Sequence, residues 1–231
     1  MKKLLLYIPM IFISSIFIQN ALSQGLLGLI YGINIKNNIL LLSSDFLFVS
    51  LVIFNLFGKS EKFLYGYGKY LILRYQKRSV VLKKIITTLF VSICIFVLAR
   101  IIIYAFLLFF CNKKLFDITA KNIINYIALS ILSLLFISLL QTIIELKISS
   151  FAGLITAFSY YIISIIMGGY FLDKKQYLPI MFLFSNFNMK NRTDLITQNF
   201  TKLYTLYLIL CFANIICVFI CKRIIKCKDI F

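Results

Sequence analysis

The sequence predicts an all-α, polytopic membrane protein of six transmembrane helices, and three observations carry that reading. Hydrophobic residues make up 62% of the 231 and charged residues 14%, with a mean hydropathy of +0.99, which is more apolar surface than a water-soluble fold can hide. The apolar residues fall into runs of about 20, the length needed to cross ~30 Å of hydrocarbon at 1.5 Å per residue. The basic residues lie between those runs and form no patch on any one of them.

The first run, 4–22, follows Lys2-Lys3 and ends on Ala21-Leu22-Ser23, a pattern shared with secretory signal peptides. More spans follow it, so we read it as a retained first span. The others cover 39–57, 85–111, 123–144, 148–172 and 203–221, and together they make a single membrane domain over residues 1–231. With the N-terminus in the cytoplasm, the inner segments carry 15 Lys and Arg against nine on the outer segments. The positive-inside rule then places both termini in the cytoplasm. A composition rich in Ile, Lys, Asn and Phe and poor in Ala and Gly fits an AT-rich bacterial genome, hence a bacterial cell membrane.

Two connections stand out. The inner one, 58–84, holds eight basic residues, one acid and four tyrosines. Gly66 and Gly68 disfavour helix there, but 69–79 contains no breaker and predicts a short amphipathic helix along the membrane surface. By contrast, the inner connection between the fourth and fifth spans is only a short turn at 145–147. The outer connection contains an apolar stretch, 177–187, interrupted by Pro179 and too short to span, which predicts a re-entrant or interfacial segment.

Asp45 and Arg100 are the two full charges set well inside apolar runs. Each costs about 2.5–3.5 kcal/mol at a helix centre on insertion scales. Both belong in the outer half and on neighbouring spans, so a buried pair is one reading; snorkelling of Arg100 and hydration of Asp45 is the other. The fifth span carries Ser149, Gly153 and Ala157 at four-residue spacing, then Ser164 and Gly168, a small-residue stripe that permits close helix approach. Asn55, Asn125, Gln141 and Asn214 add polar groups within spans, suited to packing or to lining a path.

Several chemistries are excluded. The net charge of +18 lies in the connections, which argues against nucleic acid as a partner. Histidine is absent, which removes His-based catalysis and His metal sites. The six cysteines, Cys94, Cys111, Cys211, Cys217, Cys221 and Cys227, have no CxxC spacing and read as small apolar residues or tail. Gly58-Lys59-Ser60 ends like a phosphate-binding loop, but position 53 is Ile and the triplet follows a membrane span. We therefore expect no enzyme activity, no catalytic residue, and no metal or cofactor on this chain.

Six spans, a basic inner loop with a short helix, an almost absent loop between spans four and five, and a partly inserted outer segment together resemble the ABC-2-type permease family. Tyr70-Leu-Ile-Leu-Arg-Tyr-Gln-Lys-Arg-Ser79 is similar to the Arg-Tyr-x-x-Arg pattern of small six-span permeases from bacteriocin and lantibiotic export or immunity systems. The resemblance implies a permease subunit of an ATP-driven exporter, paired with cytoplasmic ABC ATPase subunits that bind ATP and Mg, and with a second permease chain, identical or homologous. It makes the loop helix a cytoplasmic coupling helix, with Lys69, Tyr70, Arg74, Tyr75, Lys77 and Arg78 facing the ATPase. Arg74 and Arg78 can each grip a carboxylate in two places; contact with lipid phosphates is the plainer use of these charges. It also offers the small-residue stripe of the fifth span as a contact with the second permease chain, beside packing within one bundle. The alternative function is the substrate-binding membrane subunit of an energy-coupling-factor vitamin importer, which also depends on a separate ATPase.

Overall fold

The computed structural model describes residues 7–21, 29, 32, 39–66, 70, 78–111 and 120–227. Among them every regular element is helical. Helix α1 covers Ile8–Ala21, α2 Ile39–Leu56, α3 Lys59–Tyr65, α4 Arg78–Phe110, α5 Ala120–Lys147 and α6 Ser150–Asp173. A short α7, Tyr177–Ile180, and a 3-10 turn, Phe184–Asn188, lead into α8, Lys190–Asn199, and the final α9, Leu203–Cys227.

Five helical stretches are long and apolar enough to cross a membrane: α2 continued into α3, α4, α5, α6 and α9. Helices α4, α5, α6 and α9 run unbroken for 24–33 residues, rods of about 36–50 Å, whereas α2 gives way to α3 at Gly58. The sixth expected span is represented by α1, whose 14 described residues reach only about 21 Å.

The bundle is arranged for an apolar surround. Along α4 the large side chains of Phe90, Leu98, Ile102, Phe106 and Phe109 point outward, while Leu89, Ile93, Phe96, Arg100 and Tyr104 recur on the buried face at helical spacing. Helix α9 likewise exposes Leu208, Phe212, Ile216 and Phe219 and buries Leu210, Asn214 and Cys217. The interior thus holds Ser, Gln, Asn and Arg, and the exterior Phe and Ile, as expected where the solvent is hydrocarbon. Helix α5 is the central post, packed against α2, α3, α4, α6, α9 and the 3-10 turn.

Helix α6 gives the bundle two ends. At the hairpin end α5 turns into α6 through Ile148 and Ser149, and the Ser149 hydroxyl caps α6 by accepting from the Ala152 N–H (3.2 Å). Helix α3 lies at this end. At the cap end the segment from Lys174 to Lys202 folds over the bundle before α9 begins.

Several boundaries differ from the sequence reading, and α9 runs on to Cys227, six residues past its apolar run. The stretch 145–147 is the last turn of α5, not a connection, because Glu145 is buried and paired. The third span starts at Arg78, seven residues before its apolar run, since nothing in 78–84 breaks the helix and its first turns can stand outside the hydrocarbon. Of the expected surface helix at 69–79, Arg78 and Ser79 belong to α4 and Tyr70 is helical and exposed; 69 and 71–77 lie outside the described residues. The connection also carries a short helix that the sequence reading did not give, α3, set off from α2 by Gly58 at φ 66°, a left-handed turn that favours glycine. Glu61 supports its first turn.

Candidate functional site

Two buried polar clusters sit at opposite ends of α6. At the hairpin end Glu145 of α5 is enclosed, and its Oε1 accepts from the Gly58 N–H (3.0 Å) and from Gln141 Nε2 (2.9 Å). Gln141 also donates to the Ile53 carbonyl of α2 (3.3 Å), and Ser60 of α3 donates to Thr142 of α5 (3.3 Å). The start of α3 is therefore tied to α5 by a main-chain amide on a carboxylate, a strong class of hydrogen bond. Gly153 of α6 makes room for this arrangement. A methyl group there would stand 2.6 Å from Glu145 Cγ and 2.7 Å from the Gln141 carbonyl oxygen.

Toward the cap end, Arg100 of α4 and Asp45 of α2 face each other, Nη2 to Oδ1 at 2.6 Å, both buried. The Arg100 guanidinium also lies over the Phe48 ring, 4.3 Å from its centroid. The ring of Tyr161 on α6 packs on Phe46 with centroids 6.3 Å apart, one residue along α2 from Asp45.

The cap segment reaches deep. Asn186 of the 3-10 turn donates to the Ser164 carbonyl of α6 (2.9 Å), and Arg192 of α8 donates from Nη1 to the Ile165 carbonyl (2.9 Å) and to Asn186 Oδ1. Ser164 and Ile165 lie eight to nine residues before the end of α6 at Asp173, so these side chains enter about 13 Å along the helix axis. Gly168 admits them: a methyl group there would occupy the space of the Asn186 amide. Phe184, Ser185, Asn186, Phe187 and Asn188 are all buried, and the Tyr160 hydroxyl holds the turn by donating to the Phe182 carbonyl (3.1 Å) and accepting from the Phe184 N–H (3.0 Å). Arg192 is wholly enclosed. Burial pushes its guanidinium down to about 10, so it remains charged at neutral pH.

The structure thus brings Asp45 and Arg100 together. It also places Gly153, Ala157, Ser164 and Gly168 on the buried face of α6, against α5 and the cap, with Ser149 as the helix cap. Of the two uses open to the stripe, the structure shows packing within the chain: its residues meet Glu145, Gln141 and Asn186. Lys69, Arg74, Tyr75 and Lys77 lie outside the described residues, as does the Arg78 side chain. Sequence reasoning read Glu145, two residues before Lys147 at the edge of an apolar run, as part of a short turn, and passed over Arg192, which sits in a polar stretch that reads as loop. Among the described residues no group of Cys, Asp and Glu side chains is placed to hold a metal ion.

The fold and these inward-facing polar clusters define a multi-helix membrane protein whose interior chemistry is ionic and hydrogen-bonding. The chain belongs to the family described as a protein of unknown function (DUF2705), whose model matches residues 6–231. No curated protein and no solved structure matches it.

Proposed function

We propose that the chain is the membrane-spanning permease subunit of an ATP-driven exporter in a bacterial cell membrane, moving a peptide or other amphipathic substrate in bacteriocin-type export or self-immunity. The observation that carries the reading is the basic connection 58–84, whose first helix, α3, is fastened to the central post α5 through Glu145 and the Gly58 amide. A motor acting on a membrane protein needs a stiff point of purchase, and a buried carboxylate holding a helix start is one. In this reading the hairpin end faces the cytoplasm, both termini lie there, and a separate ABC ATPase carrying ATP and Mg docks on 69–78. Lys69, Tyr70, Arg74, Tyr75, Lys77 and Arg78 make the contact, and Glu145 passes the motion to α5 and α6. A second permease chain completes the pathway, meeting this one on a face other than the α6 stripe. The exposed apolar face of α9 is available for that or for lipid.

The test is affinity purification of the tagged chain together with its cognate ATPase. The wild-type chain should retain the ATPase, and Arg74→Glu with Arg78→Glu should release it while the membrane chain remains at normal abundance. Equal ATPase retention by the double variant would refute the docking assignment.

A further inference from the structure

The cap-end cluster carries more positive charge and more hydrogen-bond donors than its own residues satisfy. Arg192 is fully enclosed, yet among the described residues its Nε and Nη2 have no hydrogen-bond partner and no carboxylate pairs with it. Arg100 gives one Nη to Asp45, lies against the Phe48 ring and beside the Tyr126 hydroxyl, and keeps Nε and its other Nη outside any well-formed hydrogen bond. The Tyr161 hydroxyl, also enclosed, is a further donor without a partner, and it lies within electrostatic reach of Asp45, Arg100 and Arg192 together. One carboxylate therefore serves two guanidinium groups, with Tyr126 as well as Tyr161 beside Arg100. In a bilayer interior, uncompensated charge and unmade hydrogen bonds are both costly. Two guanidinium groups and a phenol are the donor set that proteins use for oxyanions.

An access route adjoins the cluster. Between α2 and α6 a cleft of about 230 Å³ is walled by Leu42, Phe46, Ile162, Ile165 and Ile166, with Tyr161 in its lining. Ile162 and Ile166 are exposed on the bundle surface, so the cleft opens sideways, toward where acyl chains would lie. Ile165, in the same wall, gives its carbonyl to Arg192. An apolar slot beside a cationic cluster matches one kind of molecule: an amphiphile with an anionic head.

We infer that this cluster binds the oxyanion head of an anionic amphiphile, held by Arg192, Tyr161 and the unmet Nε and Nη donors of Arg100, with its hydrocarbon part in the cleft between α2 and α6. Asp45 keeps Arg100 oriented and limits the net charge of the empty site to one. The inference stands whether or not the chain couples to an ATPase.

The whole chain, reconstituted in nanodiscs of phosphatidylcholine alone or of equal parts phosphatidylcholine and phosphatidylglycerol, supplies the test. Native mass spectrometry should find phosphatidylglycerol retained on the wild type in preference to phosphatidylcholine, and the melting temperature should be higher in the mixed discs. Arg192→Gln should weaken retention by about tenfold or more, and Tyr161→Phe by less. Ile162→Trp, at an exposed position in the cleft wall, should block retention while leaving the fold intact, and so decides the matter if Arg192→Gln fails to fold. Inorganic phosphate added to the phosphatidylcholine discs distinguishes a free-anion site, because it should produce little stabilisation on its own. Stabilisation by phosphate equal to that by the lipid would overturn the amphiphile. Undiminished lipid retention by both Arg192→Gln and Ile162→Trp, or no lipid preference in the wild type, would overturn the site.

Discussion

The two ends of α6 are built alike and balanced differently. Each has a glycine, Gly153 or Gly168, that lets a polar side chain from another element press against the helix. At the hairpin end the visitor is an acid, Glu145, whose Oε1 is met by a main-chain amide and by Gln141. At the cap end the visitors are Asn186 and Arg192, and the guanidinium keeps donors without partners. The second oxygen of Glu145 and the side-chain oxygen of Gln141 also lack a partner among the described residues, so the unmet groups are acceptors at the hairpin end and donors at the cap end. The same packing device thus frames an acidic cluster at one end and a cationic one at the other.

The largest effect should come from unbalancing the cap-end charge. Asp45→Ala leaves Arg100 as a second uncompensated guanidinium, and removing one partner of a buried pair costs about 3–5 kcal/mol. In a double-mutant cycle on thermal or denaturant unfolding, Asp45→Asn and Arg100→Gln should couple by more than about 1 kcal/mol. Additive effects would mean that the two charges are held independently.

The glycines should separate next. At Gly153 a methyl group meets the backbone oxygen of Gln141 as well as Glu145 Cγ, so α5 and α6 must move apart, at about 1–3 kcal/mol. At Gly168 it meets the Asn186 side chain, which is fully buried and bonded to Ser164 and Arg192, so moving it away breaks those bonds. Both Gly153→Ala and Gly168→Ala should therefore lower the melting temperature, and only Gly168→Ala should also open cap residues near Asn186 and Arg192 to hydrogen exchange. Unchanged exchange in the cap of Gly168→Ala would show that Asn186 is not wedged against α6.

The helical membrane class was legible because hydropathy is a local property, and Asp45 with Arg100 was legible because isolated charges in apolar runs are conspicuous. The stripe at Gly153, Ala157, Ser164 and Gly168 was visible for the same reason, but its partners were not. Glu145 and Asn186 reach it from elements whose placement depends on the tertiary fold. Arg192 gave no signal because a basic residue among polar neighbours reads as solvated, and only the folding of the cap segment onto α6 buries it. The start of α4 was missed because helix can continue past the apolar limit of a span, which hydropathy does not register.

The central claim, that Glu145 makes the hairpin end a rigid joint between α3 and the bundle, is tested most directly by ATP hydrolysis in a complex reconstituted with the ATPase that the proposed function assigns to it. With Glu145→Ala, the ATPase should stay bound while its hydrolysis no longer responds to the permease. Glu145→Gln, whose side-chain oxygen can still accept from the Gly58 amide, should restore most of that response. Hydrolysis by the Glu145→Ala complex that matches the wild type would contradict the account.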